Sequence, residues 1–194
     1  MKLKNVTFGL IFSLLTTTCL ATTFNLLAFE PIPLTSKLFS CYYSKVATDY
    51  GYVVTFPLKY QEQTNLKLLS SGVQYRTYLT EKNKGFYIET NAYFDLVDTS
   101  GPDTFSLTPN FVVGYKIDTN KGIFVEPEGL FYLPITASTD SSLTVASKVD
   151  SLFRIVLGLD NIWPNGFFLA PRVTFSYTDN DLKATGRLFI GYGF

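Results

Sequence analysis

Apolar and polar residues alternate along most of this chain. In its last segment one set of alternate positions is entirely apolar: Leu188, Ile190, Tyr192 and Phe194. Successive side chains of a β-strand point to opposite faces, so this pattern predicts a strand with one apolar face. The same pattern recurs upstream and predicts eight strands, at residues 50–58, 66–80, 86–96, 105–117, 123–135, 153–159, 167–177 and 186–194. The chain is therefore expected to be all-β and antiparallel.

The connections between these strands alternate in length. Short turns are predicted at 81–85, 118–122 and 161–166, after the second, fourth and sixth strands, whereas the polar connections at 99–103, 136–150 and 178–183 follow the third, fifth and seventh. Membrane β-barrels have an even number of strands, with short turns on the periplasmic side and longer loops outside. If the C-terminus is periplasmic, every short turn falls on that side.

Charged residues avoid the apolar faces and lie on the opposite ones. This set comprises Arg76, Lys116, Arg154, Arg172, Arg187, Glu89, Asp95, Glu126, Glu128 and Asp160. A soluble sandwich would turn its charged faces to water, whereas a membrane barrel turns them into the lumen. A charge inside a lumen has to be paired or solvated. For a barrel we therefore expect a lumen charge network of Arg76, Glu89, Lys116, Glu126, Glu128, Arg154, Arg172 and Arg187.

Aromatic residues near the strand ends favour the membrane barrel over the sandwich. The set expected at the periplasmic interface is Tyr78, Tyr115, Trp163 and Phe167. Tyr and Trp prefer this depth because one part of the side chain is apolar and the other is polar. Of the 194 residues, 16% are aromatic and only 16% are charged, against about 25% charged in soluble domains. A net charge of zero gives no reason to expect a nucleic-acid partner.

The N-terminus predicts export. Lys2 and Lys4 precede an apolar run at 6–15, which is too short to span a membrane as a helix, and small residues follow up to Ala21. We expect residues 1–21 to be a cleaved signal peptide; a lipoprotein signal ending at Cys19 is a weaker alternative. Cleavage would leave Cys41 as the single cysteine, without an intrachain disulfide.

Residues 22–46 allow three interpretations, and the barrel proper is assigned to 47–194. The proline-containing stretch at 29–33 is not typical of a central strand, because proline lacks the donor for the ladder. The segment is a periplasmic lead-in, a plug in the lumen, or a strand pair formed by 23–32 and 38–46. The last alternative would give a ten-stranded barrel.

Catalytic chemistry has little support. The chain contains no histidine, which excludes Ser-His and Cys-His nucleophiles and most zinc sites. Glu126 and Glu128 lie two residues apart on one strand face, and paired carboxylates can act in acid–base catalysis. Neighbouring arginines make ion pairing the preferred interpretation. We therefore expect no enzyme activity, no cofactor and no metal.

Several segments resemble a known family. These are 72–79 (GVQYRTYL), 85–88 (GFYI), 114–116 (GYK) and the terminal alternation ending in Phe194. Over residues 50–194 the chain resembles small bacterial outer-membrane barrels of the OmpA/OmpX type. The resemblance implies location in the outer membrane, contact with its lipid and lipopolysaccharide, and an assembly signal for the barrel assembly machinery at Leu188, Ile190, Tyr192 and Phe194.

Large inward residues are expected to fill so narrow a barrel: Tyr87, Tyr93, Phe124, Tyr132 and Phe189. The predicted function is accordingly a structural or surface-interaction role, exerted through the extracellular loops, with a lumen closed by ion pairs and aromatic rings. The alternative is a narrow or gated porin-like channel for small solutes. No ligand and no oligomeric state can be assigned from the sequence.

Overall fold

The computed structural model describes residues 23–31, 38–47, 51–63, 66–99, 104–119, 122–138, 141–145, 149–162, 166–178 and 181–194. The predicted signal peptide at 1–21 and Trp163 lie outside these residues. Among the described residues, no helix is long and apolar enough to cross a membrane.

The described residues form thirteen antiparallel strands. They are β1 (Thr23–Phe29), β2 (Leu38–Ala47), β3 (Tyr52–Gln63), β4 (Leu66–Tyr78), β5 (Gly85–Thr99), β6 (Thr104–Asp118), β7 (Ile123–Tyr132), β8 (Ile135–Ser138), β9 (Ser141–Val145), β10 (Asp150–Leu159), β11 (Asn161–Ile162), β12 (Phe167–Thr178) and β13 (Asp181–Gly193).

Ten of these strands close into a barrel. Strands β1 to β7 pair in sequence, then β10, β12 and β13 follow, and β13 pairs with β1. The short strands β8 and β9 form a hairpin attached to β6, and β11 pairs with β12. The predicted closed antiparallel barrel is confirmed. Its strand count is ten rather than eight, because the alternation at 23–29 and 38–47 forms an additional pair within the wall.

The seam between the first and last strands is short. It runs from Leu26 opposite Gly193 to Phe29 opposite Ile190. Backbone bonds of 2.9 and 3.0 Å between Phe194 and Asn25 extend it to the last residue. β1 ends two residues before Pro31, which has no N–H to donate to a ladder. The C-terminal residue therefore takes part in closing the barrel.

Two ends of the barrel can be distinguished. The turn end holds the connections that follow β2, β4, β6 and β10, together with the C-terminus. Four glycines with positive φ lie in these connections or at their end: Gly51, Gly85, Gly122 and Gly166. At Gly122, with φ of 77°, the carbonyl accepts a 2.8 Å bond from Asp160 N, which links the turn to the next hairpin. The opposite end is called the loop end below.

The loop end differs from the sequence prediction in two places. The segment 136–150 was expected to be a loop, but it contains β8 and β9, which extend the sheet beyond the end of β7. The connection predicted at 178–183 is mainly strand, since β12 and β13 stay paired up to Thr178 opposite Asp181. Polar composition suggested loops here, but cross-strand pairing continues past the apolar part of the wall.

The outer surface of the barrel is rich in exposed apolar side chains. Outward residues that are 40% exposed or more include Phe29, Tyr75, Phe86, Phe94, Phe111, Val113, Ile117, Ile123, Phe131, Phe153, Leu157, Phe167, Val173, Tyr177 and Tyr192. A soluble protein rarely exposes an apolar surface that continues around the molecule. The faces that carry the charges point inward, as the contacts below demonstrate.

Candidate functional site

The lumen divides into two halves. Along β13, inward Gly193, Gly191 and Phe189 at the turn end are buried, whereas Thr185 and Lys183 near the loop end are exposed. Most buried inward side chains lie on the turn side: Tyr87, Glu89, Asn91, Val112, Phe124, Glu126, Glu128, Val156, Phe168 and Ala170. We call this half the floor and the more exposed half towards the loop end the cup.

Aromatic rings in the floor pack against glycines of the wall. A Cβ added at Gly114 would overlap the ring of Tyr87, and one added at Gly158 would overlap Phe124. Phe168 covers Gly191 in the same way. Glycine leaves the room that each ring occupies, because no side chain separates the ring from the backbone. Glycine on the inward face of a strand is the sequence signal for this packing.

Arg76 of β4 is the centre of the main ion-pair group. Its guanidinium lies 2.7 Å from Glu89 Oε2, 2.9 Å from Glu126 Oε1 and 3.5 Å from Glu128 Oε1. Glu89 stands opposite Arg76 on the adjacent strand β5, whereas Glu126 and Glu128 lie on β7, which is not a neighbour of β4. Glu89, Glu126 and Glu128 are only 6%, 4% and 2% exposed. A single arginine therefore contacts three buried carboxylates.

Further partners complete this central cluster. Glu128 accepts hydrogen bonds from Arg154 Nε and from the Tyr87 hydroxyl. The guanidinium of Arg76 lies 4.1 Å from the centre of the Tyr87 ring, which adds a cation–π contact. Asn91 Nδ2 donates to Glu89 Oε1 over 2.9 Å. The central cluster thus joins β4, β5, β7 and β10.

A second group lies near the turn end. Lys116 Nζ is 3.3 Å from Asp160 Oδ2, and Arg172 Nη2 is 3.3 Å from Asp160 Oδ1. Both cations also face Phe124, at 4.7 and 5.4 Å from the ring centre. Lys116 and Arg172 were expected in one network with Arg76, but their direct partner is Asp160. They form a separate group beside the aromatic floor.

A third group contains residues that the sequence analysis did not identify. Arg187 binds Glu30 through two bonds of 2.6 Å, from Nε to Oε1 and from Nη2 to Oε2. Tyr42 donates to Glu30 Oε2 over 2.9 Å and also contacts Arg187 Nη2. Glu30 was missed because 22–46 could not be assigned to the wall. The alternation of Leu26, Ala28 and Glu30 was the available signal.

Packing beside this third group is apolar. Tyr42 and Phe189 meet edge to face with ring centres 5.3 Å apart. Phe189 joins the buried cluster of Ala28, Phe168 and Ala170. One side of the floor is therefore lined by apolar side chains and the other by the central cluster.

The expected interface aromatics have different positions. Tyr115 and Phe167 face outward at the turn end and are 39% and 41% exposed. Tyr78 does not face outward: its ring packs against inward Tyr87 with centres 5.6 Å apart. The assignment of Tyr78 to the interface was wrong, because this residue shares the inward face of Arg76. Trp163 lies outside the described residues.

The expected assembly signal lies on the outer face of β13, the strand that pairs with β1, and continues to the last residue. Its members are Leu188, Ile190, Tyr192 and Phe194. Tyr192 and Phe194 are 50% and 63% exposed, and Leu188 and Ile190 are half-buried. The rings of Tyr192 and Phe194 stack with their centres 6.4 Å apart. These residues form an apolar ridge at the turn end.

The chemistry of the lumen is mainly charge pairing. Glu126 and Glu128 both contact Arg76, so neither is a free carboxylate placed to act as a base. Within the described ranges, no group of three or more His, Cys, Asp or Glu is arranged to hold a metal ion. The arrangement crosslinks strands that are distant in sequence and occupies the turn-side half of the lumen.

Comparison with known proteins gives only distant similarity. No protein-family model and no curated protein matches the sequence. The β domain of the Bordetella autotransporter BrkA is 11% identical, with 89% of this chain and 98% of that domain aligned and a TM-score of 0.44. The translocator domain of the autotransporter NalP from Neisseria meningitidis is 9% identical, with 97% and 94% aligned and a TM-score of 0.34. Likeness at this level carries no functional argument.

Proposed function

We propose that this protein is an integral outer-membrane β-barrel with a closed floor, and that it has a structural or surface-interaction role through its loop end. The observation that carries the proposal is the inverted distribution of side chains. Apolar residues face outward around the closed wall, and the ion pairs lie inside. This distribution suits a barrel surrounded by lipid, where a Lys or Arg facing the middle of the bilayer would cost about 2–4 kcal/mol.

Closure of the floor is supported by contacts between strands that are not neighbours. Arg76 of β4 reaches Glu126 of β7, and Arg187 of β13 reaches Tyr42 of β2. The inward rings of Tyr87, Phe124 and Phe168 fill the space beside glycines of the wall. A freely diffusing solute would have to displace buried ion pairs, which is costly because the separated charges would lose their partners.

The first experiment tests the membrane barrel itself. Folded barrels migrate at a different apparent size on a gel before and after boiling, so the purified protein should show such a shift. It should also be recovered in the outer-membrane fraction. A protein that shows no shift and stays in the soluble fraction would contradict the membrane assignment.

The second experiment tests the closed floor. Purified protein in planar lipid bilayers should show no steady large conductance, and Glu128→Ala should raise the conductance because it releases both Arg154 and Tyr87. Lys84→Met is a matched control, since Lys84 pairs with exposed Glu81 in a turn, at 2.7 Å. A steady large conductance in the unmodified protein would refute closure.

The alternative function is a narrow or gated channel. It is favoured by one observation: inward residues become progressively more exposed towards the loop end, so the cup is open to solvent. Small conductance steps that change with Glu128→Ala, without loss of the folded band on a gel, would favour this alternative over a purely structural role.

The surface role is proposed from the hairpin formed by β8 and β9. This hairpin adds to β6 at the loop end, from Thr104 opposite Ser138 to Leu107 opposite Ile135. If the loop end faces outward, protease added to intact cells should cut within residues 136–150. Protection of this segment in intact cells, with cleavage after lysis, would place the loop end on the other side of the membrane.

Assembly is the last part of the proposal. We infer that Leu188, Ile190, Tyr192 and Phe194 are read by the barrel assembly machinery, because they form one apolar ridge on the strand that closes the barrel. Replacing Phe194 should therefore reduce the amount of folded barrel in the membrane more than it reduces the stability of protein that has already folded.

A further inference from the structure

A cleft of about 240 Å³ lies in the wall where β6 meets the junction between β7 and β8. Exposed Phe111, Phe131 and Val149 form its outer part, and Asn110 and Tyr132 also line it. Phe111 stands opposite Phe131 in the ladder, and Asn110 stands opposite Tyr132. Because successive side chains of a strand point to opposite faces, the first pair faces outward and the second inward. Side chains from both faces of the wall therefore meet in one cleft.

The backbone ladder is interrupted beside this cleft. The pairing of β6 with β7 ends at Asn110 opposite Tyr132, and the pairing of β6 with β8 begins at Leu107. In the interval a backbone bond of 3.2 Å runs from Leu133 N to Pro109 O. A hydrogen-bonded antiparallel pair exchanges two such bonds, but Pro109 has no N–H to donate the second. The wall is therefore held less firmly here than in the ladder on either side.

The neighbouring edge of the cleft has a similar interruption. The pairing of β7 with β10 ends at Tyr132 opposite Asp150, and the pairing of β8 with β9 ends at Ile135 opposite Val145. Pro134, which also lacks an N–H, lies between the two ladders. The segment that joins β7 to β8 thus has broken ladders on both of its sides, which makes it the place where the wall can admit a ligand.

The outer part of the cleft is continuous with the apolar outside of the barrel. Along β6, exposed Phe105 precedes the cleft and exposed Val113 follows it. In a membrane barrel this surface is covered by hydrocarbon chains. The outer part therefore suits a hydrocarbon chain.

The inner part of the cleft is polar and lacks a partner. Asn110 Oδ1 is buried and accepts no hydrogen bond within the described part of the chain. An amide oxygen can only accept, so its partner has to be a donor such as a hydroxyl. The residues that line the cleft include no charged side chain. The inner part therefore suits an uncharged group that carries a hydroxyl.

We propose that this cleft binds a lipid with a single hydrocarbon chain and an uncharged, hydroxyl-bearing polar end. The chain lies against Phe111, Phe131 and Val149, and the polar end passes through the interrupted ladder to Asn110. This inference rests on the proposed function, because only a barrel surrounded by membrane presents the outer part of the cleft to lipid.

Photolabelling tests both the site and the orientation of the lipid. The probes are two monoacylglycerols, one with a diazirine beside the glycerol and one with a diazirine at the end of the chain. Folded protein in phosphatidylcholine vesicles is illuminated with each probe, and the adducts are mapped by mass spectrometry. The first probe should label Asn110 or Tyr132, and the second should label Phe111, Phe131 or Val149. Ser176, which faces inward in the unbroken β12–β13 ladder, should stay unlabelled by both.

Three variants test the mechanism of entry. Pro109→Val restores an N–H that can donate to Leu133 O, so labelling of inward residues by the first probe should fall at least fivefold. Pro171→Val is the matched control, because Pro171 is also an exposed proline but lies opposite Leu188 in an unbroken ladder; its labelling should not change. Asn110→Leu removes the amide at similar volume and should weaken binding of the monoacylglycerol at least tenfold.

The outcomes separate this inference from the membrane assignment. If the barrel shows its gel shift in vesicles but both probes label outward residues alone, the lipid covers the wall without entering it and the inference is refuted. Equal labelling of Ser176 and Asn110 would also refute it, because the cleft would then have no selectivity. These results need no variant to fold, and each would leave the membrane assignment intact, which fails instead if the gel shift is absent.

Discussion

Removing Arg76 should destabilise the barrel more than any other single charge replacement in the central cluster. Arg76→Met keeps most of the apolar stem but leaves Glu89 and Glu126 without their guanidinium partner, while Glu128 retains Arg154 and Tyr87. Because the carboxylates are 6% and 4% exposed, water cannot replace the lost partner. Removing one partner of a buried ion pair costs about 3–5 kcal/mol. We expect Arg76→Met to lower the free energy of unfolding by this amount.

The assay is reversible urea unfolding of the barrel in phospholipid vesicles, with the gel shift of the folded form as a second measurement. A double variant separates charge from packing. Arg76→Met with Glu126→Gln should recover part of the loss, because the neutral amide no longer leaves a buried charge unpaired. Lys84→Met should leave the midpoint unchanged, since its partner Glu81 is exposed.

The reasoning about Arg76 would be refuted by either of two results. One is an unfolding midpoint for Arg76→Met equal to that of Lys84→Met, which would mean that water reaches the carboxylates. The other is a double variant that is less stable than Arg76→Met alone, which would mean that Glu126 stabilises the barrel without needing the arginine. Both results would also weaken the argument for a closed floor.

Three more predictions follow from packing and closure. Phe189→Ala should lower the unfolding free energy by about 3–5 kcal/mol, because the ring is 8% exposed and its removal leaves a cavity beside Tyr42; unfolding in urea measures this, and a loss below 1 kcal/mol would contradict tight packing. Gly122→Val should lower the unfolding midpoint, because its φ is 77° and a Cβ would overlap Asp160 O; an unchanged midpoint would show that the turn can relax. Phe194→Ser should slow appearance of the folded band during assembly in cells, and unchanged kinetics would argue against an assembly signal.

Local pattern predicted the wall well. Alternation assigned the inward or outward direction of nearly every strand residue used above, including Arg76, Glu89 and Arg187. It did so because the side-chain period of a strand is fixed by backbone geometry alone. The same rule places Tyr78 on the inward face with Arg76, which agrees with its contact with Tyr87 and not with an interface position.

Strand count and loop structure were less predictable. Pro31 interrupts the pattern of 22–46, which leaves three interpretations open, and the serine- and threonine-rich composition of 136–150 predicts a loop. Such a segment joins a sheet only if a neighbouring strand offers unpaired backbone N–H and C=O groups along its edge. β1 and β2 enter the wall because the last strand, β13, supplies that edge.

The sequence by itself determined the alternating faces and the separation of charged from apolar residues, since both follow from nearest-neighbour geometry along a strand. Only the tertiary structure decided which charges meet. Arg187 binds Glu30, which is 157 positions away, and Asp160 rather than a central carboxylate binds Lys116 and Arg172. Such pairings depend on strand register and on barrel closure, which bring together residues that no local pattern relates.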